Sequence, residues 1–457
     1  MYRTRQYRIR KGHRFYPYCE NLCLRAATLY NRCNFLLRQY ATAMTSMEEM
    51  KPLFANQMQV FHGITQLTQS TKYEPKGKWL SYHTLDFFLK QTKDSAYYDI
   101  PSQANQQIIK QILSDYSSFF ESCKVYKTDK SGYSGRPKMP GYKKEGSYVT
   151  AILTNQICKI QDGKFLRFPG IKTKLNLGSE NKEAKLKQVK IKRHSDSYEI
   201  NVVLEFPDIC QKDTRSDEEI IAMLKKKNDL DGYRFLGIDP GVNNFCAVTN
   251  SFGETPFLLS GRFLKSVNRY YNKKLAELRE KAMRCNDRYS TRRIGRLHDK
   301  RNRIIKDLMH KYSRFIAAYA AEKKVDYVIL GHNKLQKQKA DMGKQNNQSF
   351  VQIPFLQFAD MLRYKLEEYG IRLILTEESY TSKADFLAMD QIPVYGKEDS
   401  DVSFSGKRIK RGLYQHRDGS ISNADINGAG NTMRKVLPNV TGWDRGVVDT
   451  PYVVRIA

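Results

Sequence analysis

Apolar residues recur every three or four positions in several parts of the chain, which is the spacing of amphipathic helices. The first such segment covers residues 20–40. A second covers residues 102–120, with Ser102 as its predicted N-cap. Three further helices are predicted over residues 217–227, 262–324 (strongly basic) and 355–369.

Alternating apolar and polar residues, or short apolar runs between turns, predict the strands. Residues 1–12 are basic with alternating aromatic residues, which indicates one short strand. A turn-rich segment at 131–141 then breaks regular structure, and the pattern after it is typical of a small β-barrel. Its predicted strands cover residues 148–152, 165–168, 189–192 and 198–206.

The second half of the chain alternates strands with helices. A buried strand ends at Asp239, and a hairpin partner at 245–249 follows it, with 251–253 as the next turn. Two more buried strands are predicted at 325–330 and 371–375, with one helix between them. The order strand, hairpin, helix, strand, helix, strand predicts an RNase H-like α/β sheet.

Length and charge limit the possible functions. The chain has 457 residues, enough for about two to four domains. Lys and Arg outnumber Asp and Glu by 78 to 48, and the net charge of +30 favours a polyanionic partner, most commonly nucleic acid. A membrane surface is the weaker alternative, because the basic residues are spread along the chain. No apolar stretch is long enough to cross a bilayer, and the first residues lack a secretion signal.

The eight cysteines are scattered, and none forms the Cys-x-x-Cys pair typical of zinc and redox sites. Cys19 and Cys23 are spaced to share one helix face, and core packing is the favoured role for both. The distribution suits a reducing compartment, so we expect a cytoplasmic protein.

Three acidic residues stand near the ends of predicted strands. Asp239 closes a buried run, Glu378 follows shortly after another, and Asp425 lies in the segment Asn-Ala-Asp-Ile-Asn-Gly-Ala. Carboxylates at a sheet edge can share divalent metal ions, and two magnesium ions held in this way promote phosphodiester hydrolysis. For each acid alone, an ordinary surface carboxylate is the commoner alternative.

Several motifs resemble those of one family. Residues 237–244, Gly-Ile-Asp-Pro-Gly-Val-Asn-Asn, resemble the first RuvC motif of TnpB proteins, the RNA-guided nucleases of insertion-sequence transposons, to which type V CRISPR effectors are related. Residues 310–313 resemble the bridging-helix motif, and residues 378–383 and 423–429 resemble the closing motifs. The first helix and the Arg-Pro-x-x-Pro segment at 136–140 are also similar. The similarity covers nearly the whole chain and is strong from about 233 to 436.

The resemblance implies a multidomain fold of the α/β plus α+β class. An RNase H-like RuvC nuclease domain with a helical insertion would follow a small β-barrel, the wedge domain, which a helical recognition domain interrupts. The implied boundaries are 1–16 and 128–230 for the wedge, 17–127 for the recognition domain, 231–384 for RuvC with its basic helical insertion at 262–324, 385–420 for a basic hairpin-like insertion, and 421–457 for the end of RuvC and a C-terminal tail.

The chain departs from the family at the middle acid. The family's second carboxylate usually ends the strand at 325–330, where this chain has Gly331 followed by His332. The next strand lies beside this one in RNase H-like sheets, so Glu378 is the predicted substitute, a variant arrangement known in the family. Glu377 is adjacent, and strand alternation allows only one of the two to face the metals.

A second departure is the missing zinc ribbon, since no cysteine follows Cys285. We therefore predict no structural zinc. In the ribbon's place, residues 404–414 form a basic, aromatic, hairpin-like segment. This segment could load DNA into the cleft, or it could be a plain surface hairpin.

The resemblance implies a transposon-encoded, RNA-guided DNA endonuclease of a bacterial or archaeal cytoplasm. Its guide RNA would come from the transposon end, and it would bind double-stranded DNA beside a short flanking motif. A RuvC site with two Mg²⁺ ions, or alternatively Mn²⁺, would cleave the DNA. Asp239, Glu378 and Asp425 would be both its catalytic residues and its metal ligands. Asn243 and Asn427 could orient this site, although turn formation is their favoured role.

Candidate nucleic-acid contacts come from the first helix, the Arg-Pro segment, the bridging motif and the basic hairpin. Ordinary packing, or a solvated surface, is the alternative for each of them. The candidates are Tyr30, Asn31, Arg136, Lys138, Lys311, Lys407, Arg408, Lys410 and Arg411.

Two other functions are compatible with the sequence. A catalytically inactive RNA-guided DNA-binding regulator would keep the fold and lose the acids, and Gly331 argues mildly for it. A structure-specific resolvase acting without RNA would leave the first 230 residues without a role. A strand-transferring transposase is disfavoured, because no Tyr or Asp motif for that reaction is evident.

Overall fold

The computed structural model describes residues 2–178, 183–207, 215–226, 230, 232–332, 352–393, 402–438, 440 and 450–456. The chain divides into two compact units, Met1–Pro207 and Asp208–Ala457. Parts of several predicted domains, including residues 179–182, 208–214, 333–351, 394–401 and 441–449, lie outside the described residues. No helix in the described ranges is long and apolar enough to cross a membrane.

The first unit begins with a strand and a group of helices: β1 (Tyr2–Arg10), α1 (Tyr16–Glu48), α2 (Ala55–Thr68), α3 (Tyr82–Gln91), α4 (Ser95–Tyr98) and α5 (Ala104–Thr128). Six strands follow: β2 (Ala151–Thr154), β3 (Lys159–Gln161), β4 (Phe165–Arg167), β5 (Lys174–Asn176), β6 (Lys185–Arg193) and β7 (Ser197–Glu205). The first strand, both long helices and three of the four predicted strands are confirmed, with α1 longer at each end than its sequence pattern indicates. The strand predicted at 148–152 lies three residues later, at Ala151–Thr154.

Helix α5 begins differently from the prediction. Its N-cap is Gln103 rather than Ser102, the cap makes no side-chain hydrogen bond, and Gln103 has a φ of 74°. The chain therefore enters α5 through a left-handed residue instead of a serine cap, and the predicted cap is wrong.

The strands of the first unit form two sheets. One is antiparallel with the order β1-β7-β6-β2, and its first pairing runs from Tyr2 opposite Glu205 to Arg10 opposite Ser197. The other has the order β3-β4-β5. The described pairings give two open sheets and do not close a barrel, so the barrel stays a prediction. One apolar core joins α1 and α5 to the larger sheet.

The second unit alternates strands and helices: α6 (Asp217–Lys226), β8 (Phe235–Pro240), β9 (Asn244–Asn250), β10 (Phe257–Ser260), α7 (Arg262–Asn286), α8 (Arg292–Glu322), β11 (Tyr327–Gly331), α9 (Phe355–Glu367) and β12 (Arg372–Thr376). It ends with β13 (Lys407–Lys410), β14 (Leu413–Gln415), β15 (Ile421–Asn423), α10 (Ala424–Val436) and β16 (Tyr452–Val454). The basic helical region is two helices, because Asp287, with a φ of 47°, ends α7.

A six-stranded mixed sheet organises this unit, with the order β12-β11-β8-β9-β10-β16. Strands β12, β11 and β8 are parallel, and β9 is antiparallel to β8 and β10. This mixed α/β architecture agrees with the predicted order of elements. Strand β10 was not predicted, and the segment predicted as a C-terminal tail supplies β16, which pairs in parallel with β10.

Helices cover both faces of this sheet. Leu236 and Ile238 of β8 pack with α8 and α9, whereas Phe235 of the same strand packs with α6 and α10. Successive side chains of a strand point to opposite faces, so a nearly continuous apolar strand is buried on both sides. The strands β13, β14 and β15 form a separate small sheet.

Candidate metal centre and nucleic-acid interface

The parallel strands β8, β11 and β12 end at the same edge of the sheet. Ile238 lies beside Leu330, and Gly331 lies beside Thr376. Asp239 follows Ile238 on β8, and Glu378 comes two residues after the end of β12. The register therefore carries Asp239, Gly331 and Glu378 to one edge.

Glu378 fills the space in front of Gly331. A Cβ atom at Gly331 would lie 2.5 Å from Oε1 of Glu378 and 2.6 Å from its Cγ. The carboxylate of Glu378 thus stands where a side chain at position 331 would begin. This placement supports Glu378 as the substitute middle acid, and its catalytic role stays a prediction.

Glu377 is engaged elsewhere. Its Oε2 accepts a hydrogen bond of 2.8 Å from the backbone N–H of Ser379 and another from the Ser379 hydroxyl. Its carboxylate also pairs with the buried Lys435 ammonium of α10. These contacts tie Glu377 to Lys435 and Ser379, while Glu378 lies against Gly331.

Asp239 lies in a crowded, negatively charged environment. Its burial, followed by the charges of Glu378 and Asp425, raises the pKa of its carboxyl well above the ordinary value, and Arg408 opposes this rise. The charges of Asp239 and Glu378 also add to burial in raising the pKa of the Cys246 thiol. A carboxylate whose charge raises the pKa of another lies near it, and a cation bound beside Asp239 would relieve this repulsion.

Helix α10 brings Asp425 to this edge. Asn423 caps the helix, because its Oδ1 accepts the backbone N–H groups of Asp425 and Ile426 at 3.0 and 3.3 Å. The helix approaches β8 closely: a Cβ at Gly428 would lie 2.7 Å from Oδ2 of Asp239. Glycine at position 428 therefore lets the carboxylate of Asp239 lie against the helix.

The carboxylate of Asp425 has two side-chain partners. Asn244 donates from Nδ2 to Oδ2 at 2.7 Å, and Nη2 of Arg408 lies 3.6 Å from Oδ1. Asn244 was not singled out in the sequence, where its neighbour Asn243 was the candidate. The amide oxygen of Asn243 instead accepts a hydrogen bond of 2.7 Å from Lys265.

Asn427 has a structural role that differs from the predicted turn. It lies inside α10 and is buried. Its side chain accepts from the backbone N–H of Phe386 at 3.1 Å and donates to the carbonyl of Ala384 at 2.9 Å. Asn427 therefore holds the segment after β12 against the helix.

The donor set fits a hard divalent cation. Asp239, Glu378 and Asp425 offer only oxygen ligands, which Mg²⁺ and Mn²⁺ prefer. As the described residues stand, no three His, Cys, Asp or Glu side chains are close enough to hold one ion. The oxygens of Asp425 contact Asn244 and Arg408 instead.

A buried polar chain underlies the small sheet. Nδ1 of His416 lies 2.6 Å from Oδ1 of Asp385, and Nε2 lies 2.7 Å from the hydroxyl of Ser422. Burial alone raises the pKa of Asp385, but hydrogen bonds from His416 and from backbone N–H groups lower it below its ordinary value. Ser422 is 1% exposed, so this chain fixes the sheet and presents no nucleophile. Sequence reasoning missed it, because its members are distant in sequence.

The basic hairpin is confirmed as strands β13 and β14. Its four predicted contacts, Lys407, Arg408, Lys410 and Arg411, are exposed. The hairpin and the turn at 241–244 line a cavity of about 500 Å³ that also includes Asp425. Cationic side chains thus lie next to the carboxylate of Asp425.

The predicted contacts on α1 are used inside the protein. The Tyr30 hydroxyl donates to Asp115 at 2.8 Å, its ring lies under the Lys143 ammonium, and the residue is 1% exposed. Asn31 exchanges two hydrogen bonds, of 2.7 and 2.8 Å, with the backbone of Lys143. These contacts favour the packing alternative for both residues. Cys19 and Cys23 are also buried, and burial raises the pKa of each thiol to about 12.

The other candidates lie at the surface. Arg136 and Lys138 are exposed, and Lys311 is exposed with its ammonium 3.2 Å from Asp307. The neighbours of Lys311 in the bridging motif pack the interior. Tyr312 is buried and stacks on Phe245 at 4.8 Å between ring centroids.

Two family models match the second half of the chain. Residues 214–336 match OrfB_IS605, described as a probable transposase, and residues 355–432 match the Cas12f1-like TNB domain. Among curated proteins, none matches the chain.

Three solved structures are similar to the chain at low identity. The Cas12f1–sgRNA–target DNA complex is 14% identical, with 90% of this chain and 81% of that chain covered and a TM-score of 0.46. The CRISPR–Cas12f ternary complex is 14% identical, with 93% and 82% covered and a TM-score of 0.31. C2c1 of Alicyclobacillus acidoterrestris with single-guide RNA is 9% identical, with 88% and 65% covered and a TM-score of 0.34. Because these TM-scores are low, we draw no conclusion about this chain from the three structures.

The two family matches agree with the motifs of the sequence. The first match overlaps the region of strongest resemblance from residue 233 to 336, the second lies within it, and together they include Asp239, Glu378 and Asp425. The chain therefore carries an OrfB_IS605 transposase domain of the TnpB kind, followed by a Cas12f1-like TNB domain.

Proposed function

We propose that the chain is an RNA-guided DNA endonuclease whose active site is formed by Asp239, Glu378 and Asp425. The observation that supports the proposal is the position of Glu378 before Gly331, at the sheet edge that also carries Asp239, whose pKa is raised in part by the charges of Glu378 and Asp425. The TnpB-type and Cas12f1-like domains support nuclease function in general.

The topology of the second unit supports an RNase H-like, RuvC-type fold. Three antiparallel strands, β8, β9 and β10, lie on one side, and the parallel strands β11 and β12 extend the sheet beyond β8. Ligands of open α/β sheets bind outside the carboxyl ends of the strands, where the candidate carboxylates lie.

The chemistry follows from the donor set. Two divalent cations, when bound, would supply Lewis-acid activation of water and stabilisation of the leaving oxygen. Asp239, Glu378 and Asp425 would hold the cations, and Asn244 would fix the orientation of Asp425. Asp239 is partly buried, which strengthens electrostatic interactions on its side of the site.

Target choice would be divided between protein and RNA. A guide RNA from the transposon end would pair with the target, and the protein would read a short flanking motif on double-stranded DNA. The net charge of +30 supports two polyanionic partners. The first unit would hold the guide–target duplex, with Arg136 and Lys138 exposed for backbone contacts.

The test is to express the gene with its flanking DNA, sequence the RNA that copurifies, and challenge the complex with a randomised target library in Mg²⁺. We expect one RNA species, a short flanking motif, and cutting that Asp239→Ala abolishes. Unchanged cutting by Asp239→Ala would overturn the catalytic assignment.

The inactive regulator is the second candidate, favoured by the absence of a carboxylate at Gly331. It predicts guided, tight binding of target DNA by the wild type without any cutting in Mg²⁺ or Mn²⁺. Cutting of branched DNA by RNA-free protein would point instead to a resolvase.

A further inference from the structure

Arg408 belongs to two sites at once. Its guanidinium lies 3.6 Å from the carboxylate of Asp425. It also lines the cavity of about 500 Å³ between the hairpin and the turn at 241–244, together with Lys410 and Arg411. The Arg408 guanidinium therefore lies both beside the carboxylate of Asp425 and in a positively charged cavity.

The chemistry of this cavity, called the groove below, fits a phosphodiester. Guanidinium and ammonium groups converge there, and a guanidinium binds phosphate oxygens through two parallel hydrogen bonds. Asp425 is the only acidic residue among the described residues that line the groove. A phosphate entering it would thus compete with Asp425 for Arg408.

The ion pair between Arg408 and Asp425 is weak enough for a phosphate to replace Asp425 as the partner of Arg408. The side chains of Arg408 and Asp425 are 46% and 33% exposed, and ion pairs in such partly solvated positions are weak. Arg408 also partly offsets the negative charge around Asp239, which is the electrostatic role that a metal ion would take over.

We propose that the groove binds a phosphate of the strand to be cut, and that Arg408 exchanges partners when it does. With the groove empty, Arg408 pairs with the carboxylate of Asp425, which is then not available to bind the metal ion. With a phosphate present, Arg408 turns to the phosphate and leaves Asp425 to the cation. The inference rests on the proposed function, and it makes the binding of metal and of DNA strand mutually reinforcing.

The test measures Mn²⁺ binding to the RNA-free full chain by electron paramagnetic resonance. Titrations are made with and without a short oligothymidylate whose phosphorothioate linkages resist cleavage. The Mn²⁺ binding that is lost in Asp239→Asn is the binding assigned to the site. In the wild type, we expect the oligonucleotide to tighten Mn²⁺ binding about fivefold to tenfold.

Two hairpin variants with the same change of charge separate exchange from general electrostatics. Arg408→Gln should bind Mn²⁺ about fivefold to tenfold more tightly without oligonucleotide, and the oligonucleotide should add little. Lys410→Gln should bind the oligonucleotide more weakly and leave Mn²⁺ binding in its absence as in the wild type. Both side chains are exposed, and equal melting temperatures would confirm intact folding.

Equal effects of Arg408→Gln and Lys410→Gln on Mn²⁺ binding would overturn the exchange. It would also be overturned if the oligonucleotide left the Mn²⁺ affinity of the wild type unchanged. In either case, Mn²⁺ binding that still depends on Asp239 would leave the proposed nuclease site standing. Mn²⁺ binding unaffected by Asp239→Asn would overturn both the metal site and the exchange.

Discussion

At the scale of single residues, the clearest feature is the packing of Glu378 against Gly331 of the neighbouring strand. Gly331 has no side chain, and the carboxylate of Glu378 occupies the volume that one would need. Glycine at 331 and glutamate at 378 are thus two halves of one arrangement. Each should tolerate change only together with the other.

Replacing Gly331 by alanine should displace Glu378 and lower the cutting rate about 10- to 100-fold, since misplacement by about 1 Å is enough for such losses. Gly77→Ala is the matched control, because a Cβ there meets nothing within 4 Å. The double variant Gly331→Asp, Glu378→Ala should cut faster than Glu378→Ala alone. Cutting rates on a matched target would decide, and a double variant no faster than the single one would contradict the arrangement.

The adjacent glutamates should behave differently. Glu378→Ala should reduce cutting about 100-fold or more with little effect on stability. Glu377→Ala should keep cutting but lower the free energy of unfolding by about 1–3 kcal/mol, because Lys435, with a side chain 5% exposed, loses its carboxylate partner. Cleavage assays and urea unfolding measure the two effects, and the reverse pattern would place the metal at Glu377.

At the scale of elements, one buried ammonium joins α8 to α9. Lys365 is 8% exposed and donates to the carbonyl of His310 at 2.7 Å and to the hydroxyl of Ser313. Burial, and then the charge of Arg314, lower the pKa of Lys365 from 10.5 to about 8. The bridging motif at residues 310–313 is thus contacted by a lysine whose charged form is destabilised by burial.

This shift predicts a pH-dependent stability. Between pH 8 and 10.5 the unfolded chain binds more protons at Lys365 than the folded chain, so the folded state gains stability as pH rises. Relative to Lys365→Met, the wild type should gain about 3 kcal/mol across this interval. Urea unfolding at several pH values measures it, with Lys311→Met on α8 as the control. Parallel pH profiles for wild type and Lys365→Met would refute it.

At the scale of the whole molecule, the apolar cores respect the division into two units. Among the described residues, one core contains only residues of Met1–Pro207, and the other three contain only residues of Asp208–Ala457. Each unit therefore buries its own apolar surface, which is the physical requirement for folding alone.

Fragments 1–207 and 208–457 should each fold cooperatively when expressed separately. The measurement is circular dichroism during heating, where each fragment should show a single sigmoidal transition. A fragment that melts without a transition, while the full chain melts with one, would mean that the units depend on each other.

The local pattern was sufficient for the long helices and the buried strands. The apolar spacing of α1 and the runs ending at Asp239 and before Gly331 follow from periods of 3.6 and 2 residues, which need no distant partner. Short strands such as β10 and β16 were missed, because three or four residues carry too little periodicity and depend on pairing with each other. The Gln103 cap was missed because no feature of the local sequence indicates a left-handed backbone conformation at a glutamine.

By itself the sequence determined the long helices, the longer buried strands, the net positive charge and the three acids, because residue type and spacing along the chain specify them. Only the tertiary structure decided that Glu378 rather than Glu377 lies before Gly331, that Asn244 holds Asp425, and that Arg408 reaches the carboxylates. These relations join residues far apart in the chain. Strand register and the close approach of α10 to β8 bring them together, and no local pattern encodes either.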